Sequence, residues 1–219
     1  MTPDYELAAI RATETLIHHN ITAAPVIPLP ILKATPGVLV FSFTEMVEHT
    51  GIERGELITL LCTEAHDAVT YVKPINGKLR YIVAYNQRLP FYMLQRSLAV
   101  ELAHIILRHD GSKPEDVRAE EASCFAKYLL FPRPLLYAVQ QAGIPMTVEC
   151  IGNMTGCYER CLKALRRMPG VPIPAELNNI LKAQFADYIQ NYLDYQAILA
   201  PTDESPLADL GTYMDNYQE

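Results

Sequence analysis

Hydrophobic positions recur at helical spacing in residues 3–19, whose sequence is PDYELAAIRATETLIHH. Apolar side chains three and four residues apart share one face of an α-helix, so the pattern predicts a first helix. This helix is expected to begin near Thr2 and Pro3 and to end at Asn20. The prolines of residues 24–37 predict irregular structure after it.

The next part of the chain has the patterns of β-structure. The run VLVFSF at residues 38–43 predicts a strand, and residues 44–52 predict a short helix capped by Thr44. Residues 67–86 then contain two β-branched and aromatic runs on either side of Asn76-Gly77. Asn-Gly accepts the positive φ angles of a tight turn, so this segment predicts a β-hairpin.

From Leu89 onward the apolar spacing is helical. Four helices are predicted, with the motifs FPRP and AGIP as breaks, at about 90–109, 114–130, 134–142 and 146–167. A last helix is predicted at about 175–195, because one stripe of it carries Leu177, Ile180, Leu181, Phe185, Ile189 and Leu193. The acidic, proline-broken end of the chain is expected to be loosely held or dependent on a partner.

Together these elements predict an α+β fold. A small antiparallel sheet packs against helices, and the C-terminal third is all helical. The expected organisation is one domain at residues 1–170, followed by a C-terminal helix and an acidic tail at residues 171–219.

Composition agrees with a globular chain. The protein has 219 residues, of which 50% are hydrophobic, enough for one good-sized core. No apolar run approaches the length of a membrane span, and acidic residues stand where a secretory signal would have Lys or Arg. These features predict a cytoplasmic protein without a membrane segment.

Charge and cysteine content indicate which classes of partner and cofactor to expect. The formal net charge of −7 argues against direct nucleic-acid binding, which depends on Lys and Arg, and favours a protein partner. The five cysteines are odd in number and lie mostly in helical apolar patterns, which favours reduced thiols. Cys157 and Cys161 share a helix face but lack a second cysteine pair or nearby histidines, so structural zinc is not favoured there.

The candidate chemistry lies in residues 97–109, SLAVELAHIILRH. Glu101 and His104 stand in an apolar helical pattern at the spacing of H-E-x-x-H, in which two histidines of one helix face bind zinc and the glutamate acts as a general base. The first histidine position is Val100 here. The following helix offers Glu121 as a further carboxylate ligand, whereas its neighbour Glu120 is expected to face solvent.

With these motifs the chain resembles the ImmA/IrrE metallopeptidase-like proteins of mobile elements and stress-response regulation. The resemblance covers roughly residues 80–165 and rests on four segments in the family's order: YIVAYNQRL, RSLAVELAHIILRHDG, EEASCFAKYLLFP and VECIGNMTGCYERCLKAL. It implies a zincin-like helical core in which His104 is the second zinc ligand, Glu121 the third and Glu101 the catalytic base. The family's glycine before the second histidine is Ala103 here.

Val100 changes what the resemblance implies for zinc. Catalytic zinc sites keep three protein ligands, and valine has no lone pair to donate, so zinc affinity should fall by several kcal/mol. Glu101 is an alternative ligand beside His104 and Glu121, as in carboxylate-rich metal sites, and a partner's side chain is another. His109 is expected to point about 140° away from His104 around the helix.

Without a metal, these polar groups have a structural explanation. Glu101 and His104 would form a buried ion pair or hydrogen bond along the helix, retained after metal loss. His109 would interact with the last carbonyl groups of the helix.

Three functions follow as alternatives. The first is a peptidase-fold protein with lost or reduced activity, a pseudoenzyme of a mobile genetic element or a stress response. It would bind a helix-turn-helix repressor, because the resemblance implies such repressors as partners. The second is an active metallo-endopeptidase that uses Glu101, His104 and Glu121. The third is a non-catalytic helical interaction module, since a fold alone does not establish an activity.

Overall fold

The structure is a computed structural model that describes residues 1–50, 67–75, 77–109, 112–156 and 170–199. Its strands are β1 (Val38–Ser42), β2 (Ala68–Ile75) and β3 (Lys78–Tyr85). Its helices in chain order are α1 (Tyr5–His18), α2 (Pro28–Ala34), α3 (Phe43–Thr50), α4 (Phe91–Ile106), α5 (Glu115–Leu130), α6 (Arg133–Gln141), α7 (Val148–Thr155), α8 (Ala175–Gln184) and α9 (Ala186–Leu199). The predicted α+β class is confirmed.

The hairpin is confirmed where the Asn-Gly pair predicted it. Strands β2 and β3 pair antiparallel, with Ala68 opposite Tyr85 and Ile75 opposite Lys78. Gly77 in the turn has a φ of +73°, a conformation that glycine adopts without a steric penalty. The turn therefore sets the register of the whole hairpin.

The sheet is mixed rather than purely antiparallel. Its strand order is β1-β3-β2, and β1 pairs parallel to β3, with Val38 opposite Tyr81 and Ser42 opposite Tyr85. A parallel neighbour requires a long connection, which the chain between β1 and β3 supplies. The expectation of an antiparallel sheet is corrected in this respect, because strand direction depends on the path of the chain and not on residue pattern.

Two helix starts differ from the sequence prediction. The cap of α1 is Asp4, whose carboxylate accepts a hydrogen bond from the N–H of Leu7 at 2.9 Å. The cap of α3 is Ser42 rather than Thr44. The Ser42 hydroxyl accepts the N–H of Glu45 at 3.1 Å, and the Glu45 carboxylate accepts the N–H of Ser42 in return.

The proline-rich segment also contains a helix that was not expected. Helix α2 begins with Pro28 at its first position, where the missing N–H of proline breaks no helical hydrogen bond. Its residues Ile31 and Leu32 are buried in the main core. Burial of these apolar side chains favours the helix over the irregular structure that the prolines predicted.

The C-terminal helix is divided in two. Helix α8 ends before Phe185, and α9 begins at Ala186, where one continuous helix was predicted. Leu181, Phe185 and Ile189 of the predicted stripe are buried in the core, whereas Ile180 is 43% exposed. The break lets apolar residues on both sides face the same core.

Several predictions fall on residues outside the described part. These are Cys62, Cys157 and Cys161, the end of the helix predicted at 146–167, and the acidic tail beyond 199. Within the described part, Cys124 and Cys150 are buried free thiols, as predicted. None of the described helices has both the length and the apolar character that crossing a bilayer requires.

Candidate functional site

Helix α4 holds Glu101 and His104 at fixed positions because its opposite face is anchored in the core. Leu98, Leu102 and Ala103 are fully buried in the main cluster. Pro90 stands just before the helix, where proline's fixed φ suits a helix start. The apolar periodicity of this segment thus produces the predicted helix, which ends at Ile106 rather than at His109.

The end of α4 brings His109 back against His104. Arg108 has a φ of +52°, and the N–H of His109 donates to the carbonyl of His104 at 2.9 Å. The N–H of Arg108 donates to the carbonyl of Ile105 at 3.2 Å. This is a Schellman turn, in which the residue after the left-handed position contacts the side chain one turn earlier.

As a result, the two imidazoles touch. The Nδ1 atoms of His104 and His109 are 2.8 Å apart, with the rings edge to face. The expected 140° separation is wrong, because His109 is no longer part of the helix.

Glu121 lies on the inner side of α5, and Glu120 lies outside. Glu121 is 2% exposed, whereas Glu120 is exposed and accepts a hydrogen bond from the Tyr5 hydroxyl. Glu115 and Asp116 occupy the first turn of α5, where the helix dipole favours negative charge. The predicted orientation of both glutamates is confirmed.

Four hydrogen bonds from three donor groups fill the two oxygens of Glu121. The Lys113 ammonium lies 2.8 Å from both oxygens, and Nε2 of His109 lies 2.9 Å from Oε2. The backbone N–H of Asp4 donates to Oε1 at 2.9 Å. Burial by itself would raise the pKa of Glu121, but the bonds from Lys113, Asp4 and His109 outweigh burial and lower it. Glu121 is therefore an ionised, fully paired carboxylate.

The histidines next to it are neutral. Burial lowers the pKa of His104 to about 4, and the neighbouring His109 and Arg118 lower it further, since a proton on His104 would be close to the cationic form of His109 and to the Arg118 guanidinium. Burial also lowers the pKa of His109, against the opposing effect of Glu121. An ionised carboxylate only accepts hydrogen bonds, so His109 donates from Nε2 and accepts at Nδ1 from the Nδ1–H of His104. The lone pair of His104 is consequently on Nε2.

Glu101 faces a different neighbourhood. It lines an open groove of about 320 Å³ together with His104, Thr70 of the edge strand β2 and Arg118. Burial raises the pKa of Glu101, and the Thr70 hydroxyl opposes this effect. The Thr70 hydroxyl lowers the pKa of Glu101 from nearby, but it forms no hydrogen bond of normal geometry among the described residues.

The predicted Glu101–His104 pair is not formed. Both residues are described, and no hydrogen bond or ion pair joins them within that part of the chain.

Val100 is not among the residues that line this groove. It is half-buried and lines a separate cleft between α4 and α5 with Ser97, Ala126 and Leu130. An aliphatic side chain supplies no electron pair there, and the residues that share this cleft with Val100 include no histidine.

Residues 58–153 match the family model described as the IrrE N-terminal-like domain, Peptidase_M78. The predicted resemblance to the ImmA/IrrE family is thus confirmed. This IrrE-like segment includes the hairpin and the α4–α5 pair, and it indicates a metallopeptidase fold. No curated protein and no solved structure matches the chain significantly.

The IrrE-like segment does not assemble the zinc ligands that the family resemblance implies. The described residues include no group of three or more His, Cys, Asp or Glu side chains arranged to hold a metal ion. His109 stands between His104 and Glu121, with one ring nitrogen bonded to each. Since the Glu121 oxygens are also bound by Lys113, the donor set present does not fit zinc.

Three contacts of the site were not predicted from the sequence: His109 with His104, Lys113 with Glu121, and the N–H of Asp4 with Glu121. The C-terminal turn of α4 has a detectable signal, since a helix that stops before RHDG positions His109 beside His104. Lys113 precedes Pro114 as an ordinary charged loop residue, and nothing local shows that it reaches Glu121. The N–H of Asp4 comes from the other end of the chain and has no sequence signal at all.

Proposed function

We propose that this protein is a metallopeptidase-fold protein without peptidase activity, which binds a helix-turn-helix repressor rather than cleaving it. The observation that carries the proposal is the state of Glu121, whose oxygens are both bound by Lys113, with His109 as a second side-chain partner. In addition, Val100 stands at the position of the first zinc-binding histidine and cannot bind a metal.

Lys113 supplies the positive charge that a buried carboxylate requires. The side chain of Glu121 is 3% exposed, and that of Lys113 is 31% exposed. A buried carboxylate without a compensating charge is strongly destabilising, and here an ammonium group compensates it. The site is therefore stable without an ion, which supports a binding role for the fold.

The repressor as partner is supported by the family resemblance and by charge. Helix-turn-helix proteins carry basic surfaces that contact phosphates. The chain has a formal net charge of −7, which is complementary to such a surface. Attraction between the acidic chain and a basic repressor surface accelerates their association, and the same negative charge repels nucleic acid.

The test combines a binding and a cleavage assay with a helix-turn-helix repressor from the same genome. We expect a complex at micromolar concentration by calorimetry, weakened by added salt. Mass spectrometry of the mixture with added Zn²⁺ or Mn²⁺ should show intact repressor, and Glu101→Gln should behave as the wild type.

Two outcomes would contradict the proposal. Absence of a complex at micromolar concentration would exclude this repressor as the partner. Cleavage that Glu101→Gln abolishes would instead support the altered-ligand metallo-endopeptidase, with Glu101, His104 and Glu121 as its functional residues.

A further inference from the structure

The cleft beside Val100 is a second cavity of the helix pair, distinct from the groove of Glu101 and His104. Its volume is about 280 Å³, near the lower end of the range for small-molecule sites. Helices α4 and α5 form its walls, which are mainly apolar and include Tyr92, Met93, Val100, Ala126, Leu130 and Phe131. An apolar group of a small ligand fits these walls.

Two cationic side chains also line this cleft. Arg96 comes from α4 and Lys127 from α5. The described ion pairs are Arg11–Glu14 and Lys113–Glu121, and the neutral His109 is hydrogen-bonded to Glu121, so neither Arg96 nor Lys127 has a carboxylate partner in this part of the chain. Arg96 is exposed and Lys127 is half-buried, which keeps both accessible to a ligand.

Among the described residues, one acidic side chain lines the same cleft. Asp67 Oδ2 accepts a long hydrogen bond of 3.4 Å from the hydroxyl of Ser97. Two cations against one carboxylate give the described lining of the cleft a net positive charge. The negative charge of Asp67 should therefore weaken the binding of an anionic ligand, and a substitution of Asp67 can test this effect.

We propose that this cleft binds a carboxylate attached to a small apolar group, such as a short alkyl chain. The apolar group packs against Val100 and Leu130, and the carboxylate pairs with Arg96 and Lys127. A guanidinium group binds carboxylates through paired hydrogen bonds, and the adjoining apolar walls strengthen the attraction by excluding water. Val100 keeps this wall of the cleft apolar, whereas a histidine at position 100 would make it partly polar.

Ligand binding in this cleft does not require the repressor. The cleft residues differ from those that hold Glu121, and binding can be measured on the protein alone.

The probe is octanoate, with octanol and octylamine as neutral and cationic counterparts of the same apolar group. We expect saturable binding of octanoate by calorimetry and by shifts of the Met93 methyl NMR signal. Octanol should bind about tenfold more weakly or worse, because it loses a charge-assisted hydrogen bond. Octylamine should be weaker still. Equal affinity of the three probes, or no saturation by octanoate at millimolar concentration, would overturn the proposal.

Variants separate the charge from the apolar wall. Arg96→Gln combined with Lys127→Gln should weaken octanoate binding at least about tenfold and leave octanol binding unchanged. Asp67→Asn should increase the affinity for octanoate, because it removes a negative charge that repels the carboxylate. Lys182→Gln on α8 is the matched control and should change nothing. An equal loss for octanoate and octanol in the double variant would contradict a carboxylate site.

Val100→Phe tests the position of the apolar group. The larger ring should fill the cleft and abolish binding of both octanoate and octanol, while thermal unfolding verifies that the variant is folded. Retained binding in a folded Val100→Phe protein would place the ligand elsewhere and overturn the proposal.

A peptide arm identifies the source of the carboxylate. A short peptide ending in Leu is compared with its C-terminal amide. Selective binding of the free acid would extend the site to polypeptide C-termini. Binding of octanoate without the peptide would restrict the site to small organic acids, and both outcomes support the proposed chemistry.

Discussion

At the scale of single residues, Lys113 decides the state of the site. Glu121 is buried, and burial alone would favour its protonated form. The ammonium group 2.8 Å from both oxygens keeps the pKa of Glu121 low and the carboxylate ionised. A lysine from the adjoining loop thus occupies the position next to Glu121 that an ion would need.

Replacing Lys113 by Met should therefore reduce stability. Glu121 would keep its bonds from His109 and from the Asp4 N–H but lose the nearby charge. Because Lys113 is partly exposed, we expect a loss of about 1–3 kcal/mol in the free energy of unfolding, measured in urea. Adding Glu121→Gln to Lys113→Met should recover part of this loss, and Lys182→Met serves as an exposed control. A strictly additive double variant would show that the pair does not interact.

The missing ligand at Val100 gives a second prediction at this scale. Val100→His restores a donor type but leaves Glu121 bound to Lys113 and His109, so we expect zinc well below one ion per chain by elemental analysis. Combining Val100→His with Lys113→Ala and His109→Ala should raise zinc binding. Full occupancy in Val100→His alone would show that Lys113 and His109 do not block the site.

At the scale of elements, the end of α4 positions the histidine pair. The Schellman turn has Arg108 in the left-handed region, where a residue with a Cβ atom pays a conformational cost and glycine does not. The contact between His104 and His109 follows from this turn rather than from helix periodicity. A local backbone feature thus determines which ring lies beside Glu121.

Arg108→Gly should stabilise the protein. Removal of the left-handed penalty gains about 1 kcal/mol, and the greater freedom of glycine in the unfolded chain offsets part of it. We expect a net gain of about 0.5 kcal/mol in chemical denaturation. Arg108→Ala keeps the Cβ atom and should show no such gain, so equal effects of the two variants would refute the explanation.

At the scale of the whole molecule, the N-terminal helix completes the site from outside the matched segment. Helix α1 packs on α5, and the N–H of Asp4 before it donates to Glu121. Its other end is held by α8, where the Gln184 amide donates to the carbonyls of Leu16 and Ile21 at 2.9 and 2.7 Å. The site consequently depends on a segment far from Glu121 in sequence, which α8 helps to hold in place.

Close packing of α1 makes one prediction for the whole fold. Ala8, Ala9 and Ala12 have no exposed surface, so an added side chain has no space. We expect Ala12→Leu to destabilise the protein by about 1–3 kcal/mol through overpacking, seen as a lower midpoint of unfolding. Ala183→Leu on the exposed face of α8 should be near neutral, and equal effects would contradict the described α1 packing.

The sequence by itself determined the elements whose cause is local. The hairpin followed from Asn76-Gly77, most helices from apolar spacing, and the positions of Glu101, His104 and Glu121 from a motif within two adjacent helices. The absence of a donor at Val100 was also visible in the sequence, because it is a property of one side chain.

Only the tertiary structure decided how those residues are used. The parallel pairing of β1, the approach of Lys113 to Glu121 and the bond from Asp4 all join groups with no sequence periodicity between them. Such contacts arise because a buried carboxylate must find donors wherever the packed chain brings them. The motif located the site, and the packed chain supplied the donors to Glu121, from the preceding loop and from the N-terminal segment.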